Sequence, residues 1–128
     1  MSTGQHALVI DDNKANLRVL ATLLMRQGLQ CTEISDSRQL EAKLPQLGGI
    51  DLVFLDLEMP GVNGYDAKEM LRAHLGQTPI IAYTVHVSEM NTTRNKGFDG
   101  FIGKPLDPSR FPNQLARILR HEGVWERM

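Results

Sequence analysis

Leu52-Val53-Phe54-Leu55-Asp56 is a row of four apolar residues with a carboxylate directly behind it. The run is short and does not alternate apolar with polar positions, which suits a strand covered on both faces within a parallel sheet. Three more runs share the form. His6-Ala7-Leu8-Val9-Ile10 leads into Asp11-Asp12, Pro79-Ile80-Ile81-Ala82-Tyr83 into Thr84, and Phe101-Ile102-Gly103 into Lys104-Pro105. In an open parallel α/β sheet, ligands bind in the crevice outside the carboxyl ends of the strands. The runs therefore predict one pocket holding three carboxylates, a hydroxyl and an ammonium. That set suits accepting a phosphoryl group on an aspartate with the help of Mg²⁺.

Outward from these runs, strand and helix alternate five times, with strands expected at about 6–11, 29–34, 51–56, 79–84 and 99–103. Helical stripes lie between them. Leu17, Leu20, Ala21 and Leu24 follow i, i+3, i+4, i+7, and Leu40, Leu44 and Leu47 repeat this more weakly. Ala67, Met70, Leu71 and His74 form a third stripe, and Phe111, Leu115, Ile118 and Leu119 the last. Gly28, Gly48, Gly76, Gly97 and Gly123 stand where helices should stop. Asp36 with Gln39 predicts a cap, and Asp107-Pro108 predicts an N-cap followed by proline at the first helical position. The expected architecture is a doubly wound (βα)5 three-layer α/β sandwich, flavodoxin-like, with parallel strand order 2-1-3-4-5. That order sets Asp11, Asp12 and Asp56 side by side. No repeat or linker divides the chain, so residues 1–128 are expected to form one domain, with a core at about 5–121 and a short tail.

Composition narrows the function classes. The 128 residues are 41% hydrophobic and 23% charged with net charge −1, so no electrostatic footprint for nucleic acid or for a membrane surface is present. The opening Met1-Ser2-Thr3-Gly4-Gln5-His6 lacks the regions of a signal peptide, and no apolar stretch approaches the ~18 residues of a membrane span. Cys31 is the single cysteine, which excludes an intrachain disulfide and points to a reducing cytoplasm.

Each pocket residue has a plain use beside the chemical one. Asp12 and Asp56 are direct Mg²⁺ ligand candidates and Asp11 a candidate through water, because three carboxylates together need a cation. Asp12 or Asn13 also suits the N-cap of the first helix. Asp56 is the nucleophile candidate, against a turn aspartate before Met59-Pro60-Gly61. Lys104 suits neutralising phosphoryl oxygens, against a solvated lysine. Pro105 rigidifies the loop, and X–Pro is the bond that readily takes the cis form. Thr84 suits a hydroxyl donor to the phosphoryl group, against an ordinary strand-end threonine.

Taken together, Asp11-Asp12, Asp56 with Met59-Pro60-Gly61 and Gly64, Thr84, and Lys104-Pro105 resemble the receiver domain of bacterial two-component response regulators, over roughly residues 5–121. The segment Asp11-Asp12-Asn13-Lys14-Ala15-Asn16 looks most like stand-alone receivers and those attached to hybrid histidine kinases. The resemblance implies that Asp56 takes a phosphoryl group from a phosphohistidine on a histidine kinase or phosphotransfer protein. It implies a Mg²⁺ site of Asp11, Asp12, Asp56 and the backbone carbonyl of Glu58. It makes Thr84 and Phe101 a switch pair, with the hydroxyl moving toward the phosphate and the ring turning inward. The face of fourth helix, fifth strand and fifth helix then changes shape. The resemblance further implies that the chemistry on the chain is self-catalysed phosphoryl transfer and loss, without turnover as an enzyme.

Three departures from the family pattern stand out. Val85 follows Thr84 where a very small residue is usual, so the opening to the acceptor is expected to be narrow. Glu58 and His86, two residues beyond Asp56 and Thr84, flank the path of an attacking water. The segment 88–96 is poor in helix formers and the Thr84–Lys104 spacing is short by roughly half a helical turn, so a short or mobile fourth helix is expected. A receiver-like interaction scaffold that is never phosphorylated is the competing reading. A phosphohydrolase is disfavoured because Glu58 replaces its second aspartate. The kinase, the target and any homodimer are not written in the chain. Val124 and Trp125 suit either packing on the body or contact with a partner.

Overall fold

The computed structural model describes residues 4–126; Met1 to Thr3 of the polar opening stretch lie outside them. The elements in order are strand β1 (His6–Ile10), helix α1 (Lys14–Arg26), β2 (Gln30–Ile34), α2 (Leu40–Lys43), β3 (Leu52–Asp56), a small hairpin of β4 (Glu58–Met59) and β5 (Val62–Asn63), α3 (Gly64–Leu75), β6 (Ile80–Thr84), α4 (Met90–Asn95), β7 (Gly100–Gly103), α5 (Phe111–Leu119) and β8 (Val124–Glu126). The main sheet has order β2-β1-β3-β6-β7-β8, and every pairing in it is parallel. Its first five strands carry the expected 2-1-3-4-5 order. The sixth extends it: the tail pairs with β7, matching Gly100 to Val124, Phe101 to Trp125 and Ile102 to Glu126.

The period of two along each strand divides the core. Ala7, Val9, Leu52, Phe54, Ile81, Tyr83 and Val124 face α1 and α5, which bring Leu17, Leu20, Leu24, Phe111, Leu115 and Ile118. Leu8, Ile10, Val53, Leu55, Ile80, Ala82 and Phe101 face the other layer, with Leu40, Leu44, Ala67 and Leu71. The helix α1 stripe of Leu17, Leu20, Ala21 and Leu24 is the buried one.

Several local expectations change. The weak second stripe is not one helix. A 3₁₀ turn (Ser37–Gln39), the four-residue α2 and a second 3₁₀ turn (Leu44–Gln46) replace it, because Pro45 offers no N–H to continue the ladder. Asp36 does cap the start, accepting from Arg38 N–H at 3.1 Å. On α3 the buried stripe is Gly64, Ala67, Lys68 and Leu71, while Met70 and His74 lie outside it. Gly64 is held small by Leu57, whose Cα would stand 3.0 Å from an added Cβ. Helix α5 begins at Phe111 and not after Asp107: the Asp107 carboxylate accepts from Ser109 in a turn that precedes it. After α5 the left-handed position belongs to His121 (φ 61°), not to Gly123. The expected weakness of the fourth helix is realised as shortness, six residues of α4 behind a 3₁₀ turn (Val87–Glu89).

Candidate functional site

At the carboxyl ends of β1, β3, β6 and β7, the strand-end residues meet as their order requires. Asp11 is fully buried and Asp56 nearly so. Lys104 stands between them, its Nζ 3.1 Å from Asp11 Oδ2 and 3.2 Å from Asp56 Oδ2. It directly follows β7, and its bond to Pro105 is cis. The other Asp56 oxygen, Oδ1, accepts the Glu58 backbone N–H at 3.0 Å, and Asp11 Oδ1 accepts the Asn13 N–H at 2.8 Å. Burial pushes the Asp56 carboxyl up to about 6. The Glu58 N–H and the Lys104 charge oppose this, and Asp11 adds to it. The two buried carboxylates share this one ammonium.

The remaining residues are nearby but otherwise engaged. Asp12 turns away to the loop after β2, accepting from Ser37 N–H at 2.9 Å and Ser37 Oγ at 3.1 Å. Asn13, and not Asp12, caps α1 by accepting from Asn16 N–H at 3.0 Å. Thr84 Oγ1 donates to Glu58 Oε1 at 2.6 Å, and Glu58 Oε2 lies 2.9 Å from His86 Nε2. The Thr84 hydroxyl is therefore held by Glu58, two residues beyond Asp56. Phe101 is fully buried on the same sheet face as Thr84, so the ring has no outward surface left to withdraw from solvent. Trp125 of β8 is its register partner and packs against the same cluster.

Val85 is 55% exposed. It lines a pocket of about 290 Å³ beside Lys104, together with Asn16, Val19, Tyr83, Pro105 and Leu106.

Tyr83 and Ser37 escape a reading from sequence alone. Tyr83 stands inside an apolar run and reads as core, yet its hydroxyl donates to Asp11 Oδ2 at 2.8 Å. A polar phenol one place before the strand-end threonine was the available signal. Ser37 carries no motif; only the fold brings it to Asp12.

The donor set suits a hard divalent cation, since all candidate ligands are oxygens and the two buried carboxylates share a single ammonium. Among the described residues no three His, Cys, Asp or Glu side chains are already gathered around one point, because Asp12 points at Ser37 and the Glu58 side chain at Thr84. No helix among them is long and apolar enough to cross a membrane.

Comparison with known proteins places this geometry. The response regulator receiver domain family matches residues 7–116. The signal transduction histidine-protein kinase BarA of Escherichia coli K12 is 30% identical over 125 residues, which covers 94% of this chain and 14% of that protein. The sensory transduction protein RegX3 of Mycobacterium bovis is 30% identical over 118 residues, covering 91% of this chain and 51% of that protein. The chain thus spans about one seventh of the kinase and half of the regulator. The receiver domain of the sensor histidine kinase PA1611 from Pseudomonas aeruginosa, solved with magnesium in its active-site cleft, superposes with a TM-score of 0.79. It is 24% identical over 92% of this chain and 99% of that one. The sequence match and the shared fold agree, and the chain belongs to the response regulator receiver domain family.

Proposed function

We propose that this chain accepts a phosphoryl group on Asp56 and passes the change of charge to a protein-binding face. The observation that carries the reading is the Lys104 ammonium seated 3.1–3.2 Å from both Asp11 and Asp56. An ammonium so placed neutralises phosphoryl oxygens as they arrive. In the transfer, an Asp56 carboxylate oxygen forms a bond to phosphorus. The bond from phosphorus to the donor's leaving atom breaks, and that atom keeps the electron pair. Asp11, Asp12, Asp56 and the Glu58 carbonyl would hold Mg²⁺, which supplies further charge neutralisation when bound. Thr84 can donate to the new phosphoryl oxygens only by leaving Glu58.

The donor is a phosphohistidine on a histidine kinase or phosphotransfer protein, in the cytoplasm, and the target is a protein rather than nucleic acid. The chain acts on its own aspartate and turns over no external substrate, so it is not an enzyme in the ordinary sense. Intact-mass spectrometry after incubation with Mg²⁺ and acetyl phosphate tests this. The expected result is one added phosphate, absent from Asp56→Ala and absent without Mg²⁺. No added mass in the native protein or in Val85→Ala would favour a scaffold that works without phosphorylation.

A further inference from the structure

Tyr83 touches both charges that the acceptor depends on, and the phosphoryl-transfer scheme above leaves it unused. On β6 it alternates with Ala82 and Thr84, so it leaves the sheet on the α1 and α5 side while Thr84 leaves on the other. Its ring packs edge-on against Phe54, with centroids 6.5 Å apart, and is buried. Its hydroxyl donates to Asp11 Oδ2 at 2.8 Å. The same oxygen holds Lys104, and Lys104 Nζ lies 4.2 Å from the centroid of the Tyr83 ring. A cation over an aromatic face is attracted by the ring's quadrupole.

Asp11 therefore accepts three hydrogen bonds: Asn13 N–H on Oδ1, and Tyr83 and Lys104 on Oδ2. When Lys104 turns toward a phosphoryl group on Asp56, Oδ2 loses its ammonium. A buried acceptor left without any partner is heavily penalised, and the phenol prevents that.

We propose that Tyr83 is a positioning residue for phosphoryl transfer: its hydroxyl fixes the Asp11 carboxylate in one orientation and keeps it partnered when Lys104 moves, while its ring face seats the ammonium. The inference rests on the reading of Asp56 as phosphoacceptor. Hydrogen-bond partners of metal-binding side chains typically change metal affinity by about 10–100-fold when removed.

The test compares the native protein with Tyr83→Phe, which keeps the ring and removes only the hydroxyl, and with Tyr83→Leu, which removes both. Calorimetric titration with Mg²⁺ reads the unphosphorylated protein. Intact mass with acetyl phosphate at saturating Mg²⁺ reads the initial rate. Tyr83→Phe should bind Mg²⁺ about 10-fold more weakly and gain phosphate more slowly, with Tyr83→Leu slower again. Native Mg²⁺ affinity and native rate in Tyr83→Phe, even with a lowered thermal midpoint, would reduce Tyr83 to packing and overturn the proposal. Should Tyr83→Leu fail to fold, the near-isosteric Tyr83→Phe still decides. If neither the native protein nor Val85→Ala gains mass, the phosphoacceptor reading falls, while the Mg²⁺ titrations still report on the hold over Asp11.

Discussion

The acidic end of the sheet and its β7–β8 edge are built on different principles. At the acidic end, each residue of the Asp11–Asp56–Lys104 centre sits at or just beyond a strand end, and parallel pairing alone brings them together. At the edge, the tail returns after α5 and is clamped from both layers. Glu126 takes ion pairs from Arg110 and Arg117 and a hydrogen bond from Gln114 at 2.9 Å. Trp125 faces the other layer, where the Arg94 guanidinium of α4 lies 4.4 Å from the centre of its ring. The two buried carboxylates of the pocket share one ammonium, whereas the edge is a packed and paired surface. In a receiver this edge borders the face expected to move, so here the chain's own strand ties α4, β7 and α5 together.

The largest expected effect falls on the edge. A Cβ at Gly100 would come within 2.8 Å of the Val124 carbonyl oxygen and of Ile81 Cδ1. Gly100→Ala should cost about 3 kcal/mol, the upper range for overpacking, measured by urea unfolding. A cost near zero would mean that β8 leaves β7 easily, and the contrast between a soft pocket and a firm edge would fail.

Next comes the pocket. The Asp56 pKa is raised from 3.8 to about 6 in the folded protein, so between those values the folded state binds more protons than the unfolded one. Stability should fall as pH rises through 4 to 6 in the metal-free protein. Asp56→Asn removes this dependence and should stabilise at pH 7 by at most about 3 kcal/mol, a net figure in which the Lys104 charge already offsets part of the burial cost. Thermal midpoints across that pH range check it, and a midpoint at pH 7 below the native one would show that the pair outweighs burial.

Trp125→Ala sharpens the comparison. Removal of this half-buried ring should cost about 2 kcal/mol and speed amide exchange in 88–96, leaving the acetyl phosphate rate within about 2-fold of native. A several-fold change in that rate would make edge and pocket one unit. Asn13→Ala gives the smallest effect. Loss of the α1 cap should cost about 1 kcal/mol by the same unfolding measurement, and a cost above that would show that the cap also sets Asp11.

Much of this protein is legible in its residues because the signals are local. Apolar runs define strands, their ends define where polar groups gather, and the α1 stripe is the buried one residue for residue. Misreadings arise where a local signal competes with another. Pro45 breaks the stripe of Leu40 and Leu44, and Gly64 with Lys68 turns α3 so that Met70 and His74 face outward. The conformations of Asp12 and Glu58 were beyond reach for another reason. Their hydrogen-bond partners, Ser37 and Thr84, are about 25 residues away in the chain, and no spacing rule relates them.

From its order of residues alone, the chain determines a parallel α/β sheet with carboxylates, hydroxyl and ammonium at one end, because strand periodicity and the place of polar residues after apolar runs are short-range properties. Only tertiary structure decides that Val124–Glu126 becomes a sixth strand, that Phe101 pairs beside it, and that Tyr83 reaches Asp11. Those outcomes depend on which backbone edge is free to pair and on distances across the sheet. Such contacts are set when all the layers close on one core.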